Sequence, residues 1–325
     1  MKNVAVIPGD GVGPEVVGAT VEVLEELPVD LEFNELSAGD RVKENRGTPL
    51  PEETLEGARA ADAVLLGAVG ETAADVVIRL RQELDTYVNL RPVKAYPGVE
   101  CVDPTTDMVI VRENTECLYA GIENRIAPGV TTATRVITES ASKRIAEFAF
   151  DYAESEGRSL VSAIHKNNVL PVTGNQFLEA ADGVAESSDV DYEDVLVDAA
   201  ALYMVKDPER FEVVLTTNLF GDILSDLAAG LIGGLGLSPS ANIGDEHGLF
   251  EPVHGTAPDI AGEGKVNPTA AILSGSYMLN FLGAGDYGKK LESAVEETLA
   301  AGDTTPDLGG DLTTTEMARA VLDRV

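Results

Sequence analysis

Apolar positions along the chain follow two alternating rhythms. Short aliphatic and β-branched runs at 4–7, 63–67, 108–111, 160–164, 195–198 and 213–217 are bounded by glycine or polar residues and predict buried strands. Between them apolar residues recur at helical spacing. They do so at Val16, Val17, Val21, Leu24 and Leu27 after Pro14, and over about 72–87, 138–156 and 174–185. They do so again at Leu219, Phe220, Ile223, Leu224 and Leu227 after Asn218, and from Pro268 the chain is helical apart from a loop at 304–310. Strands alternating with helices predict an α/β fold. Residues 121–137 break the rhythm: a polar half with a Pro-Gly turn, then a half rich in Thr and Val. They predict a hairpin arm with no core of its own to cover, a device that often serves a partner subunit.

Composition sharpens this picture. With 325 residues, 44% of them hydrophobic, the chain can bury the core of one large or two coupled domains. Its 56 acidic residues face 23 basic ones, a formal net charge of -33 spread along the chain rather than gathered in a tail. Nucleic acid and anionic membranes are poor partners for such a surface. Dispersed carboxylates over an ordinary core suit very high salt, where screening removes self-repulsion. Cys101 and Cys117 are the only thiols, too few for a disulfide framework, which leaves a single bridge open and makes a reducing cytoplasm the expected compartment. The chain opens directly on a strand without a cleavable apolar segment, and no apolar stretch reaches about 18 residues, so a soluble intracellular protein is expected.

Candidate chemistry gathers just past strand ends, where open α/β sheets bind ligands: Arg112, Lys166, Asp198, and Asn218 ahead of Asp222. Asp222 and Asp226 stand one helical turn apart on one face. Such a pair repels by roughly 0.2 to 0.5 kcal/mol unless something positive sits between, and Mg²⁺ or Mn²⁺ would serve. Taken alone, the pair fits a metal site and a solvated acidic face equally well. The loop Pro8-Gly9-Asp10-Gly11-Val12-Gly13-Pro14-Glu15 invites a dinucleotide reading, but Pro14 takes the third glycine position and no ribose-binding acid follows at the right distance. A tight strand-to-helix turn is the better reading. No phosphate loop of the G-x-x-x-x-G-K-[ST] kind exists, which argues against phosphoryl transfer.

The segments PGDGVGPE, RLRQELDTYVNLRP, VIVRENTECLY, HKNNVL, NLFGDILSDLAAG, EPVHGTAPDIAG and TPDLGG run in order from residue 4 to about 310. Together they resemble the β-decarboxylating dehydrogenases, the family of isopropylmalate, homoisocitrate and isocitrate dehydrogenases. The resemblance implies two α/β domains sharing a mixed sheet, not a Rossmann fold. Residues 1–87 and 234–325 would form the cofactor domain, and 88–233 a substrate, metal and dimerisation domain with the arm at about 121–137. It implies oxidation of a 2-hydroxy dicarboxylic acid by NAD, loss of the carboxylate on C3 and protonation of the enol, assisted by Mg²⁺ or Mn²⁺.

Residue by residue, the resemblance assigns the metal to Asp222 and Asp226, with Asp198 from the other subunit of a homodimer or higher assembly. Arg81, Arg91 and Arg112 would clamp the substrate's carboxylates, with the bidentate geometry guanidinium allows. Lys166 of the partner would take the hydroxyl proton and Tyr119 protonate the enol, both tuned away from an ordinary pKa of about 10 by the metal and arginines nearby. His254, Gly255, Ala257, Asn267 and Asn168 would contact the cofactor. Asp259, followed by Ile260, would accept from the adenosine ribose diol and repel a 2′-phosphate, so NAD rather than NADP is expected. Val77 and Ile78, one turn before Arg81, would form an apolar wall suited to an isopropyl group, worth roughly 1.5 to 3 kcal/mol if buried. Oxidation of 3-isopropylmalate to 2-oxoisocaproate and CO2, in leucine biosynthesis, is therefore the expected activity. Homoisocitrate or isocitrate, for which Arg79 is near enough to serve, is the alternative, and a non-catalytic dimer a remote one.

Overall fold

The structure is a computed structural model that describes residues 1–325 as two compact units. Unit one comprises Met1–Thr86, Ala95–Pro104 and Ile232–Val325; unit two comprises Tyr87–Lys94 and Thr105–Leu231. The stretch 95–104, expected in the substrate domain, belongs to unit one. Its turn packs onto the helix Gly285–Ala300, where a Cβ on Gly98 would come within 2.5 Å of the Leu299 carbonyl oxygen.

In unit one the strands lie in the order Leu31–Glu35, Lys2–Ile7, Ala63–Leu66, Gly248–Pro252, Pro239–Ile243. The first four run parallel and the last antiparallel. Ile7, Leu55, Leu66, Leu80 and Leu249 form a core from which water is excluded, each side chain contributing roughly 1.5 to 3 kcal/mol. In unit two the order is Val88–Lys94, Asp107–Glu113, Val213–Thr216, Leu160–His165, Asp191–Leu196, with the first pair antiparallel and the rest parallel. Parallel neighbours need crossover helices, which the chain supplies between its strands.

Two elements differ from their sequence expectation. The apolar triplet Val195-Leu196-Val197 suggests a strand reaching Asp198, but the strand starts earlier, on the acidic Asp191–Leu196, and Asp198 lies in the first turn of the helix Val197–Lys206. There its charge faces the positive helix end. The helix before Arg81 is shorter and opens as a π-helix, Ala74–Ile78, before the α-turn Arg79–Glu83. The wider π turn re-registers its side chains. Val77 packs half-buried against the unit-one core, while Ile78 is half-buried and Asp75 exposed.

The arm is a two-stranded antiparallel hairpin, Glu123–Ala127 with Val130–Ala133, exposed along its whole length. Cys101 and Cys117 are free thiols. No helix is long and apolar enough to cross a membrane.

Candidate active site

The helix Asn218–Leu231 begins directly after the buried strand Val213–Thr216, whose β-branched residues give way to a helix former pattern with apolar spacing. Arg112, at the end of the strand Asp107–Glu113, is 1% exposed and lies along this helix. Its Nε and Nη2 donate to Asn218 Oδ1 at 3.0 and 2.7 Å, and Nη1 donates to Asp222 Oδ1. Gly221 makes that approach possible. A Cβ there would sit 2.6 Å from Arg112 Cγ, so the roughly 1 kcal/mol a helical glycine costs is offset by room for the guanidinium. Arg91 sits between the two aspartates, 3.5 Å from Asp222 Oδ1 and 3.5 Å from Asp226 Oδ1, and Nη1 also donates to Ser225 Oγ. The positive group that the aspartate pair demands is thus an arginine of the chain itself.

Tyr119, in the short turn Leu118–Ala120, donates its hydroxyl to Asp222 Oδ2, and the Arg112 guanidinium lies 5.0 Å from the centre of its ring. Burial, then the hydrogen bond to Asp222, push the Tyr119 pKa above 10, outweighing Arg112. Without a metal the balance runs upward rather than down, and at neutral pH the phenol is protonated, the state a proton donor needs. Burial, with Asp222 adding to it, also raises Asp226, although Arg91 opposes. An added cation there would favour the ionised form. Asp222 and Asp226 supply the hard oxygen donors that Mg²⁺ or Mn²⁺ takes, and a carboxylate retains lone pairs beside its arginine contacts.

Lys166 follows the strand Leu160–His165 and its Nζ donates to Asp198 Oδ1, which holds the Asp198 carboxyl below its ordinary 3.8. Within one chain Asp198 therefore stands with Lys166, and no group of three or more metal-binding side chains assembles. Asn167 is wedged against Gly174, where a Cβ would come 2.7 Å from its Cα, and its amide donates to Asn175 Oδ1 at 3.2 Å. Asn168 is exposed on the same turn.

In unit one, Arg81 is nearly buried and its Nη2 donates to Glu251 Oε1 at 2.6 Å; Asn242 Nδ2 donates to the same oxygen at 2.9 Å. Sequence reasoning missed both of these holders. Arg79 is turned instead to Glu83 and Glu52, at 3.8 and 3.9 Å. A cavity of about 660 Å³ is walled by Val12, Leu235, Ala257, Ile260 and Val266, with polar groups from His254, Asn267 and Asp307. Gly255 lines it as well, whereas Asp259 lies on the exposed turn next to Ile260. Burial lowers the His254 pKa from 6.5, and its Nε2 is buried without a hydrogen-bond partner. An apolar cavity of this size with an orphaned ring nitrogen and an Asn267–Asp307 pair (3.1 Å) suits one end of a dinucleotide. Asp307 and Val12 were not foreseen as lining residues, although each falls in a segment that carries the resemblance.

Residues 3–321 match the family model described as isocitrate/isopropylmalate dehydrogenase. The chain belongs to that family. It is 57% identical to the 3-isopropylmalate/3-methylmalate dehydrogenase of Methanocaldococcus jannaschii, over 100% of this chain and 99% of that one. It is 54% identical to the 3-isopropylmalate dehydrogenase of Archaeoglobus fulgidus, over 99% and 98%. The isocitrate/homoisocitrate dehydrogenase of Thermus thermophilus is 49% identical, over 99% and 98%. The crystal structure of isocitrate dehydrogenase from Methylococcus capsulatus superposes with a TM-score of 0.96 at 44% identity, covering 100% of this chain and 99% of that chain.

Proposed function

We propose that the protein oxidises and decarboxylates 3-isopropylmalate with NAD⁺ and Mg²⁺ or Mn²⁺, as a cytoplasmic homodimer adapted to high salt. The observation that carries this reading is the Arg91–Arg112–Tyr119 cluster on the helix of Asp222 and Asp226, in a chain that resembles named 3-isopropylmalate dehydrogenases along its full length. When bound, NAD⁺ supplies the hydride acceptor and the divalent ion the Lewis acidity toward the 2-hydroxyl oxygen. Arg91 and Arg112 bind the substrate's carboxylates, exchanging their internal partners for them. The partner subunit's Lys166, as the neutral amine released from its ion pair with Asp198, takes the hydroxyl proton and becomes the ammonium, and the freed Asp198 carboxylate would join Asp222 and Asp226 in holding the divalent ion. Tyr119 delivers its phenolic proton to C3 after CO2 departs. His254, Asn267 and Asp307 orient the adenosine end.

The homodimer is supported by apolar side chains left open on unit two: Val169, Val172, Leu202 and Ile223 are each more than half exposed, and so is Ile126 on the arm. Exposed aliphatic side chains of this kind suit burial against another surface. In the proposed homodimer, Lys166 and Asp198 of one copy serve the aspartate helix of the other.

The test follows NADH absorbance in concentrated KCl with Mg²⁺, comparing 3-isopropylmalate, 3-methylmalate, homoisocitrate, isocitrate and malate. The highest kcat/KM is expected for 3-isopropylmalate. A higher value for homoisocitrate or isocitrate would overturn the substrate assignment, and no turnover of any acid would overturn the enzyme.

A further inference from the structure

The loop Gly9–Pro14 lacks a dinucleotide fingerprint, yet it grips the turn that carries Asp259. Gly11, at φ +57°, approaches Thr256 so closely that a Cβ would lie 2.1 Å from its carbonyl oxygen. The amide of Val12 donates to that same oxygen at 2.9 Å, and Val12 itself lines the cavity. In the first turn of the helix Gly13–Glu25, Glu15 then reaches across to the far end of the turn. Its Oε1 accepts from the Gly262 amide and its Oε2 from the Gly264 amide, the latter at 3.1 Å.

Asp259 and Ile260 lie between these two grips. The turn closes on itself through Ile260 N–H to Ala257 O at 3.1 Å and Glu263 N–H to Ile260 O at 3.2 Å. It starts at Ala257, held at φ +36°, and ends in Gly262 and Gly264 at φ +80° and +65°. A non-glycine residue in that region is strained and persists only where its surroundings hold it. Glycines at the other end leave the backbone free to take many shapes unless something fixes it. A carboxylate that accepts from two amides of one turn provides that restraint, through hydrogen bonds about twice as strong as neutral ones.

We propose that Glu15 is a positioning residue that fixes the turn bearing Asp259, and so sets both the affinity for the dinucleotide and the preference for NAD over NADP. The proposal rests on the reading of the cavity as an NAD site. Discrimination against a 2′-phosphate requires a carboxylate that cannot swing away from it. If Glu15 lets go, Asp259 can retreat, and NADP is rejected less strongly.

Glu15→Ala and Glu15→Gln, made in the full chain and assayed in concentrated KCl, test this. In Glu15→Ala the Kd and KM for NAD should rise about tenfold, and the NAD-to-NADP ratio of kcat/KM should fall about tenfold. At saturating NAD, kcat and the KM for 3-isopropylmalate should stay within about twofold of wild type. Glu15→Gln keeps one acceptor oxygen and should fall between, and it reports even if the alanine variant fails to fold. An unchanged NAD affinity and cofactor ratio in a folded variant would overturn the role of Glu15, as would a fall in kcat without a change in either. A wild-type protein that neither binds NAD nor prefers it to NADP would instead sink the cofactor reading itself.

Discussion

Carboxylates are held in opposite ways at the loops of unit one and on the aspartate helix of unit two. In unit one, Asp10 Oδ2 accepts from the amides of Asp40 and Gly70 at 2.9 and 3.1 Å, and Asp40 accepts from the amides of Glu71 and Thr72, each at 2.9 Å. In unit two, Asp222 and Asp226 face the guanidinium groups of Arg91 and Arg112 and the hydroxyl of Tyr119. An amide partner belongs to the backbone and cannot leave without moving the chain, so carboxylates held this way define shape. A guanidinium partner can turn to another anion, so carboxylates held that way are ready to exchange. Under the proposed function, an arriving substrate would compete for the arginines and free Asp222 for a cation.

The strongest way to break this contrast is Asp222→Asn, which keeps the shape of the side chain and removes its charge. Loss of half the metal donor pair should lower kcat/KM roughly 10³-fold or more. If Asp222 also competes with substrate for Arg91 and Arg112, metal-free binding of 3-isopropylmalate should tighten a few-fold in the same variant. Isothermal titration in EDTA measures this, and weaker binding would count against exchange.

Tyr119→Phe comes next, with kcat expected to fall roughly 10²- to 10³-fold at nearly constant KM. The sign of the pH effect follows from burial: a donor whose pKa is raised above 10 stays protonated through the neutral range. In EDTA, the ultraviolet difference titration of wild type against Tyr119→Phe should therefore show no phenolate forming at this residue below about pH 10. A phenolate that forms near pH 8 would contradict the buried, Asp222-bonded phenol.

Much of the site could be read in the sequence because strand ends and helical spacing are local features. Arg112, Asp222 and Asp226 lie where a strand stops or a helix turns, whereas Arg91 and Tyr119 were assigned only through the family resemblance of their segments. What could not be read was long-range or backbone-borne. The Glu251 and Asn242 that hold Arg81 come from strands far along the chain. The π turn that packs Val77 onto the core leaves no mark in an apolar pattern that fits an α-helix equally well. Three of the four extra strand residues, Asp191, Glu193 and Asp194, are acidic, so hydrophobic periodicity passes over them.

A smaller effect probes unit one at the cofactor. Asp259→Lys with Ile260→Tyr should shift the NAD-to-NADP ratio of kcat/KM toward NADP by about tenfold or more, since the repelling carboxylate becomes an attracting ammonium. Steady-state rates with both cofactors decide it, and an unchanged ratio would remove Asp259 from the site.

The smallest effect separates the two kinds of carboxylate by sign. Burial works against ionised Asp40, but the hydroxyl of Thr72 and the amides of Glu71 and Thr72 outweigh it and hold the carboxyl below 3.8. A depressed pKa contributes stability above 3.8 that is lost as pH falls through the folded value. Asp40→Asn should therefore cost about 1 to 2 kcal/mol at pH 7, a few degrees in melting temperature, and the deficit should shrink below about pH 3.8. Asp226 carries the opposite shift: partial desolvation raises its carboxyl although the side chain is more than half exposed, so its ionisation adds little to the fold. Asp226→Asn, measured in EDTA, should leave the pH 7 melting temperature unchanged or raise it. Thermal melts of both variants at pH 7 and pH 3.5 in high salt test the pair, and a drop for Asp226→Asn matching that of Asp40→Asn would erase the distinction between carboxylates that set shape and those held for exchange.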